Sequence, residues 1–156
     1  MIVKRNFLIF VLFSLITNCG FSPLHSNKSN KNFSIKTINF RGDKIINNYV
    51  KLGLKQYQNN NFDNGYDIII DTKFSKNILA KDKTAKITSY KLINSSIIQI
   101  NQNGGLIKKI EISQNNNMNS YDDKFEERKV ERNIKQNFAT KILRDLIGQV
   151  SILNDN

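Results

Sequence analysis

The sequence predicts an α+β domain, a four-stranded, mostly antiparallel sheet with two helices packed on one face, in the order β-α-β-β-β-α. Three patterns predict this fold. Apolar side chains recur every three or four positions over residues 122–150, which is typical of a long helix. Residues 66–75 alternate apolar and polar side chains, which is typical of a half-buried strand. Asn103-Gly104-Gly105, between two further apolar segments, predicts a hairpin turn.

The first half of the domain is predicted to be a strand followed by a helix. Residues 33–40 form the strand, and a change of parity among their apolar positions indicates a bulge or burial on both faces. Asp43 is predicted to cap a helix over 44–58, where apolar side chains recur at three- and four-residue spacing. Gly53 is expected to weaken this helix by about 1 kcal/mol relative to alanine. A loop over 59–65 then leads to the next strand.

The second half is predicted to contain a strand meander and the long helix. Its three strands are 66–75, 85–101 and 106–114. A basic loop is expected over 76–84, and a closing turn over 115–117. The long helix buries a row of apolar residues spaced by four, namely Val130, Ile134, Phe138, Ile142 and Leu146.

The N-terminus predicts export and lipidation. Two cations, Lys4 and Arg5, precede an apolar stretch over 7–16, which is too short to span a bilayer. This layout is typical of a signal peptide, here 1–18. Cys19, the only cysteine, follows directly and is predicted to carry a lipid; the alternative is an ordinary signal peptide with a chance cysteine.

The remaining boundaries follow from composition. The polar segment 19–32 contains the only proline and is predicted to be a lipidated tether. The single domain is expected over 33–150, with a short tail over 151–156.

Charge indicates which partners the domain attracts. The chain has a net charge of +11, and two of its cations lie in the signal peptide, so the rest carries +9. A basic domain attracts nucleic acid, anionic lipid headgroups and phosphorylated glycolipids. Export argues against nucleic acid as a partner. The abundance of Asn, Lys and Ile is also what an AT-rich genome produces, so part of the lysine excess can lack a functional role.

Composition also excludes several classes of enzyme. The only histidine, His25, lies in the tether, which leaves no histidine in the domain for a serine or cysteine hydrolase. Zinc sites usually need His or Cys ligands. We therefore expect no catalytic residues, no metal site and no cofactor. A carboxylate-dependent envelope hydrolase remains an alternative, and its acids would be Glu126, Glu127 and Glu131. Their alternation with arginine and lysine favours a solvated helix face.

Several segments together resemble a known family, the lipopolysaccharide-assembly lipoproteins called LptE. Cys-Gly-Phe-Ser-Pro-Leu at 19–24 reads C-G-F-x-P-L directly after the signal peptide, and is the most specific match. The β-α-β-β-β-α order agrees as well. The other matching segments are Thr84 to Leu92, Ser120-Tyr121 before the final helix and Glu131-Arg132 within it.

The resemblance implies an outer-membrane lipoprotein on the periplasmic face, held by a lipid on Cys19. Gly20 carries no acidic signal for retention in the inner membrane. Family members plug and help to assemble a large β-barrel protein, LptD, which inserts lipopolysaccharide into the outer leaflet, and they can bind lipopolysaccharide.

The resemblance also bears on the basic residues of the 76–84 region. The densest basic cluster contains Lys76, Lys81, Lys83 and Lys86, and its last three members are predicted to contact lipopolysaccharide. The alternative is a solvated, lysine-rich loop. An alternative for the whole chain is an unrelated periplasmic lipoprotein that binds peptidoglycan or a transporter complex.

Overall fold

The computed structural model describes residues 33–59 and 65–154. The predicted signal peptide, Cys19 and the tether lie outside these residues. The elements are β1 (Ile35–Gly42), α1 (Lys44–Leu54), a one-turn 3-10 helix (Lys55–Tyr57), β2 (Tyr66–Lys81), β3 (Ile87–Gln102), β4 (Gly105–Asn119) and α2 (Lys124–Asn154). The predicted α+β class and the β-α-β-β-β-α order are therefore confirmed.

The four strands form one sheet in the order β1-β2-β3-β4. β1 and β2 are parallel and are joined through α1, whereas β2, β3 and β4 form an antiparallel meander. The predicted irregularity in β1 is a register shift between Ile35 and Thr37. Within the sheet Ile68 lies opposite Ile100, and Ile70 lies opposite Ile98, so the apolar side chains of neighbouring strands share one face.

The hydrophobic core lies between this face and the two helices. Its fully buried side chains come from both layers: Ile35, Ile68, Ile70, Leu92, Ile98 and Ile100 from the strands, and Ile46, Val50, Leu54, Ile142, Leu146 and Val150 from the helices. The opposite face of the sheet is not covered by any described element, and we call it the open face.

Two segments predicted as loop or turn are strand. β2 continues to Lys81, because Lys76 pairs with Leu92 and Ile78 pairs with Tyr90. Likewise 115–117 extends β4, where Asn116 lies opposite Leu92. The lysines in 76–81 and the three asparagines at 115–117 had favoured a loop and a turn. The hydrogen bonds come from the backbone of the neighbouring strand, so a polar sequence does not prevent pairing.

The helix boundaries differ slightly from the predictions. Asp43 caps α1 as expected, and its Oδ1 accepts hydrogen bonds from the backbone N–H groups of Ile45 (3.0 Å) and Ile46 (2.9 Å). α1 ends at Leu54, and the last predicted turn is the separate 3-10 helix. α2 continues to Asn154, beyond the predicted end at 150. Among the described residues, no helix is long and apolar enough to cross a bilayer.

Two glycines allow close approach of the backbone. Gly42, at φ +92°, ends β1, and a Cβ there would lie 1.7 Å from the carbonyl oxygen of Thr72. Gly53 lies where α1 crosses α2, and a Cβ would lie 2.4 Å from Cδ1 of Leu143. Gly53 was expected only to weaken the helix. Its absent side chain instead makes room for the contact between the helices.

Candidate functional site

The turn between β2 and β3, residues 82–86, is organised by one carboxylate. Asp82 Oδ1 accepts hydrogen bonds from the Thr84 backbone N–H (2.8 Å), the Thr84 hydroxyl (2.7 Å) and the Lys86 backbone N–H (3.0 Å). The Thr84 hydroxyl is the main cause that lowers the pKa of Asp82 below its usual value. This turn fixes the backbone that carries the three lysines predicted to contact lipopolysaccharide.

Those three lysines, Lys81, Lys83 and Lys86, are all exposed and lie at one end of the sheet; we call them the basic turn. Lys86 Nζ lies 2.7 Å from Oδ1 of Asp122, in an ion pair that is itself exposed. Within the described residues, Lys81 and Lys83 form no ion pair or side-chain hydrogen bond. The basic turn therefore presents two free ammonium groups and one that is partly neutralised.

Lys76, the fourth member of the predicted basic cluster, does not join the basic turn. Its Nζ lies 2.9 Å from Glu127 and 3.1 Å from Glu131 of α2, and it contacts the ring of Tyr90 at 4.3 Å. The interpretation of this helix face as solvated is wrong for Glu127, which is only 6% exposed.

Glu127 is surrounded by donors. Besides Lys76, it accepts hydrogen bonds from Lys124 Nζ at 3.0 Å and from the Tyr121 backbone N–H at 3.2 Å. These contacts, with the Lys76 hydrogen bond as the largest, lower the pKa of Glu127 from 4.5 to about 2. Desolvation alone would lower the pKa of Lys76, but its hydrogen bonds to Glu127 and Glu131 outweigh burial and leave that pKa raised.

A second buried cation extends this network to α1. Lys135 is 6% exposed, and its Nζ lies 2.9 Å from Oδ2 of Asp43 and 3.4 Å from Glu131. It also lies 3.8 Å from the centre of the Phe74 ring. The result is a continuous chain of alternating charges between the sheet and the helices, which we call the ion chain: Asp43, Lys135, Glu131, Lys76 and Glu127. Its carboxylates are neutralised by lysines, an arrangement that suits structure rather than proton transfer.

The start of α2 carries a cationic surface that sequence reasoning treated only as solvated. A cavity of about 250 Å³ is lined by Phe125, Arg128, Lys129, Arg132 and Asn133, and we call this surface the cationic helix face. Phe125 is 64% exposed. Arg128 and Arg132 have no ion-pair partner among the described residues. Arg128, Lys129 and Arg132 follow the exposed Phe125 by three, four and seven residues, and this helical spacing is the sequence signal that could have identified the face.

The start of α2 lies beside the basic turn. The ion pair between Lys86 and Asp122 joins them, and a cavity of about 260 Å³ between them is lined by Lys86, Tyr90, Tyr121 and Lys124, among others. In residues 33–59 and 65–154, no cluster of His, Cys, Asp or Glu side chains could hold a metal ion.

Comparison with known proteins shows similarity in structure only. No protein-family model and no curated protein matches the sequence. The fold is similar to that of rare lipoprotein B from Shewanella oneidensis, with a TM-score of 0.58 and 12% identity over 75% of this chain and 98% of that chain. A minor lipoprotein from Acinetobacter baumannii gives a TM-score of 0.54 and 15% identity over 73% of this chain and 94% of the other.

A third similar structure is lipoprotein B from Nitrosomonas europaea, with a TM-score of 0.52 and 12% identity over 76% of this chain and 86% of that one. At such low identities the likeness establishes the fold alone. The chain thus has the fold of a group of bacterial lipoproteins that includes rare lipoprotein B.

Proposed function

We propose that this protein is an LptE-like outer-membrane lipoprotein. A lipid on Cys19 anchors it at the periplasmic face, where it plugs and helps to assemble an LptD-type β-barrel and takes part in lipopolysaccharide transport without catalysis. The observation that carries the proposal is the fold, which matches 98% of the rare lipoprotein B chain. The C-G-F-x-P-L start at 19–24 adds support from an independent part of the sequence.

The open face of the sheet suits the lumen of a barrel. Polar side chains dominate it, among them Lys73, Ser75, Asn77, Lys91, Ser95, Gln99, Ser113, Asn115 and Asn117. Barrel interiors are polar, so a plug needs a surface that can form hydrogen bonds with them. Its three central isoleucines, Ile69, Ile93 and Ile97, are half-buried among these polar neighbours.

The basic turn supports the glycolipid part of the proposal. Lys81 and Lys83 have ammonium groups free of acidic partners in the described part of the chain, and Lys86 is held beside them by Asp122. Phosphate oxygens on a sugar would form charge-assisted hydrogen bonds with such groups. We propose that lipopolysaccharide phosphates contact this turn, mainly through Lys81 and Lys83.

Two measurements on one preparation test the proposal. The tagged full chain is extracted from outer membranes in mild detergent, and co-purified protein and lipopolysaccharide are both quantified. We expect a large β-barrel protein to be recovered with it. The double variant Lys81→Glu/Lys83→Glu should retain the barrel but capture several-fold less lipopolysaccharide, because two attractive charges become repulsive.

The matched control is Lys51→Glu/Lys55→Glu, which makes the same charge change on exposed residues at the end of α1. Equal loss of lipopolysaccharide from both variants would mean that net charge, not the basic turn, governs capture. Recovery of peptidoglycan fragments or a transporter complex in place of a barrel would overturn the proposed function and favour an unrelated periplasmic lipoprotein.

A further inference from the structure

The outer edge of β4 is unpaired in the described part of the chain. β4 is the last strand of the sheet, and among the described strands it pairs only with β3. In an antiparallel pair, alternate backbone N–H and C=O groups point away from the partner strand, so those of β4 are directed outward. Exposed edges are usually protected by charged residues, proline or bulges. Between Ile112 and Asn119 this strand has none of these.

A groove follows this edge. It has a volume of about 560 Å³ and is lined by Ser113, Gln114, Asn115 and Asn116 of β4. Side chains of successive strand residues point to opposite faces, so four consecutive lining residues place the groove along the edge rather than on one face. The other wall is α2. Gln114 Nε2 donates a hydrogen bond to the Phe138 carbonyl oxygen at 3.2 Å, which ties the strand to the helix at the floor of the groove.

The helix wall is polar and carries excess positive charge. It contributes Asn137, Thr140, Lys141 and Arg144 to the lining. Among the described residues, Asp145 is the only acid paired with the two cations, at 2.7 Å from Lys141 Nζ and 3.4 Å from Arg144 Nε. Lys141 and Arg144 thus share one carboxylate and keep an excess positive charge. Because of this excess, the wall would attract an additional acidic group.

We propose that the β4 edge from Ser113 to Asn117 is a strand-addition site for an extended, acidic segment of a partner protein. The outward backbone groups would bind the backbone of the segment as a fifth strand, and alternate side chains would enter the groove beside α2. Lys141 and Arg144 select carboxylates there. A second copy of the chain fits less well, because the pairing of two basic domains brings like charges together.

A peptide titration tests this site independently of the proposed function, since neither the barrel nor lipopolysaccharide is present. The isotopically labelled full chain is titrated with a short capped peptide that alternates valine and glutamate, and backbone amide shifts are recorded. We expect the shifts to concentrate at 113–117 and at the facing part of α2. An N-methylated form of the peptide, which cannot form the ladder, should not bind. A valine–lysine form should not bind either.

Two charge variants complete the design. Arg144→Glu should weaken binding by about tenfold, since it replaces an attractive charge at the groove with a repulsive one. Arg128→Glu, the same change on the cationic helix face, should leave binding unaltered. Shifts confined to the open face, binding that survives N-methylation, or equal weakening by both variants would each overturn the proposal. So would concentration-dependent dimers that bury the β4 amides, because a second copy would then be the occupant.

Discussion

Buried charge at the interface between sheet and helix is neutralised residue by residue. In the ion chain, Lys76 bridges Glu127 and Glu131, while Lys135 bridges Glu131 and Asp43. Removing one member of such a pair leaves its partner buried and only partly compensated, which costs more than the pair contributes when intact. The ion chain therefore favours the observed placement of α2, because a shift of the helix would separate these pairs.

Glu127→Gln tests the ion chain at the level of one residue. The neutral amide leaves Lys76 with one carboxylate instead of two, and we expect the free energy of unfolding to fall by about 2 kcal/mol. Urea denaturation at neutral pH measures this difference. The control is Glu126→Gln, whose side chain lies in an exposed pair with Lys129 and should change stability by less than about 0.5 kcal/mol. Equal effects would show that the ion chain does not stabilise the fold.

The pH dependence of the difference in unfolding free energy between the protein and Glu127→Gln tests whether the Glu127 carboxylate causes it. The folded pKa of Glu127 is about 2, below its ordinary value of 4.5, so its contribution is fully present above about pH 4.5. The contribution declines as the pH falls from about 4.5 toward 2, because the unfolded chain takes up the proton first, and it is gone only well below pH 2, where the carboxylate is protonated in both states. The gap in unfolding free energy between the protein and Glu127→Gln should therefore be constant from neutral pH to about pH 5 and close below it. A gap that is unchanged at pH 2.5 would contradict this assignment.

At the scale of elements, α2 joins two different interfaces. Its second half buries Ile142, Leu146 and Val150 in the apolar core, whereas its first half buries Glu127 and Lys135 in the ion chain. Ile134 lies in the first half, directly before Lys135, and is 7% exposed. The position thus belongs to the row that holds the helix against the sheet.

Ile134→Asp tests this register. A carboxylate at a buried apolar position costs several kcal/mol, which is a large part of the stability of an ordinary domain. We expect the variant to lose its cooperative thermal transition. Asn133→Asp introduces the same group one residue earlier, on the exposed side of the helix, and should melt like the parent protein. If both variants melt normally, the helix is rotated relative to the register described above.

At the scale of the whole molecule, anchoring and folding are expected to be separable. The core side chains described here come from residues 33–154, whereas Cys19 belongs to the segment that precedes the domain. Cys19→Ser should therefore leave the thermal transition unchanged and move the protein from the membrane pellet to the supernatant. A single anchor and a basic surface can act together on anionic membranes, so fractionation should follow a high-salt wash. Full sedimentation of the variant after that wash would exclude the lipid as the anchor.

The sequence by itself determined the features that depend on near neighbours. The cap at Asp43 needs contacts only two and three residues away, and the apolar row through Ile134 repeats every helical turn. The order β-α-β-β-β-α followed from such local patterns. The exposure of Lys81, Lys83 and Lys86 could also be predicted from the sequence, because charged residues beside a short turn rarely become buried.

The tertiary structure alone decided what distant residues do to one another. The sequence predicted that Lys76 is one more cation of a basic loop. In the structure its ammonium group is bound by Glu127 and Glu131, which lie 51 and 55 residues away in the chain. The lysine-containing end of β2 and the polar end of β4 are strands because β3 lies beside them. The groove at the β4 edge exists because α2 passes there. Local periodicity carries no information about such contacts, since they form only when the chain has closed its long loops and brought separate elements into one core.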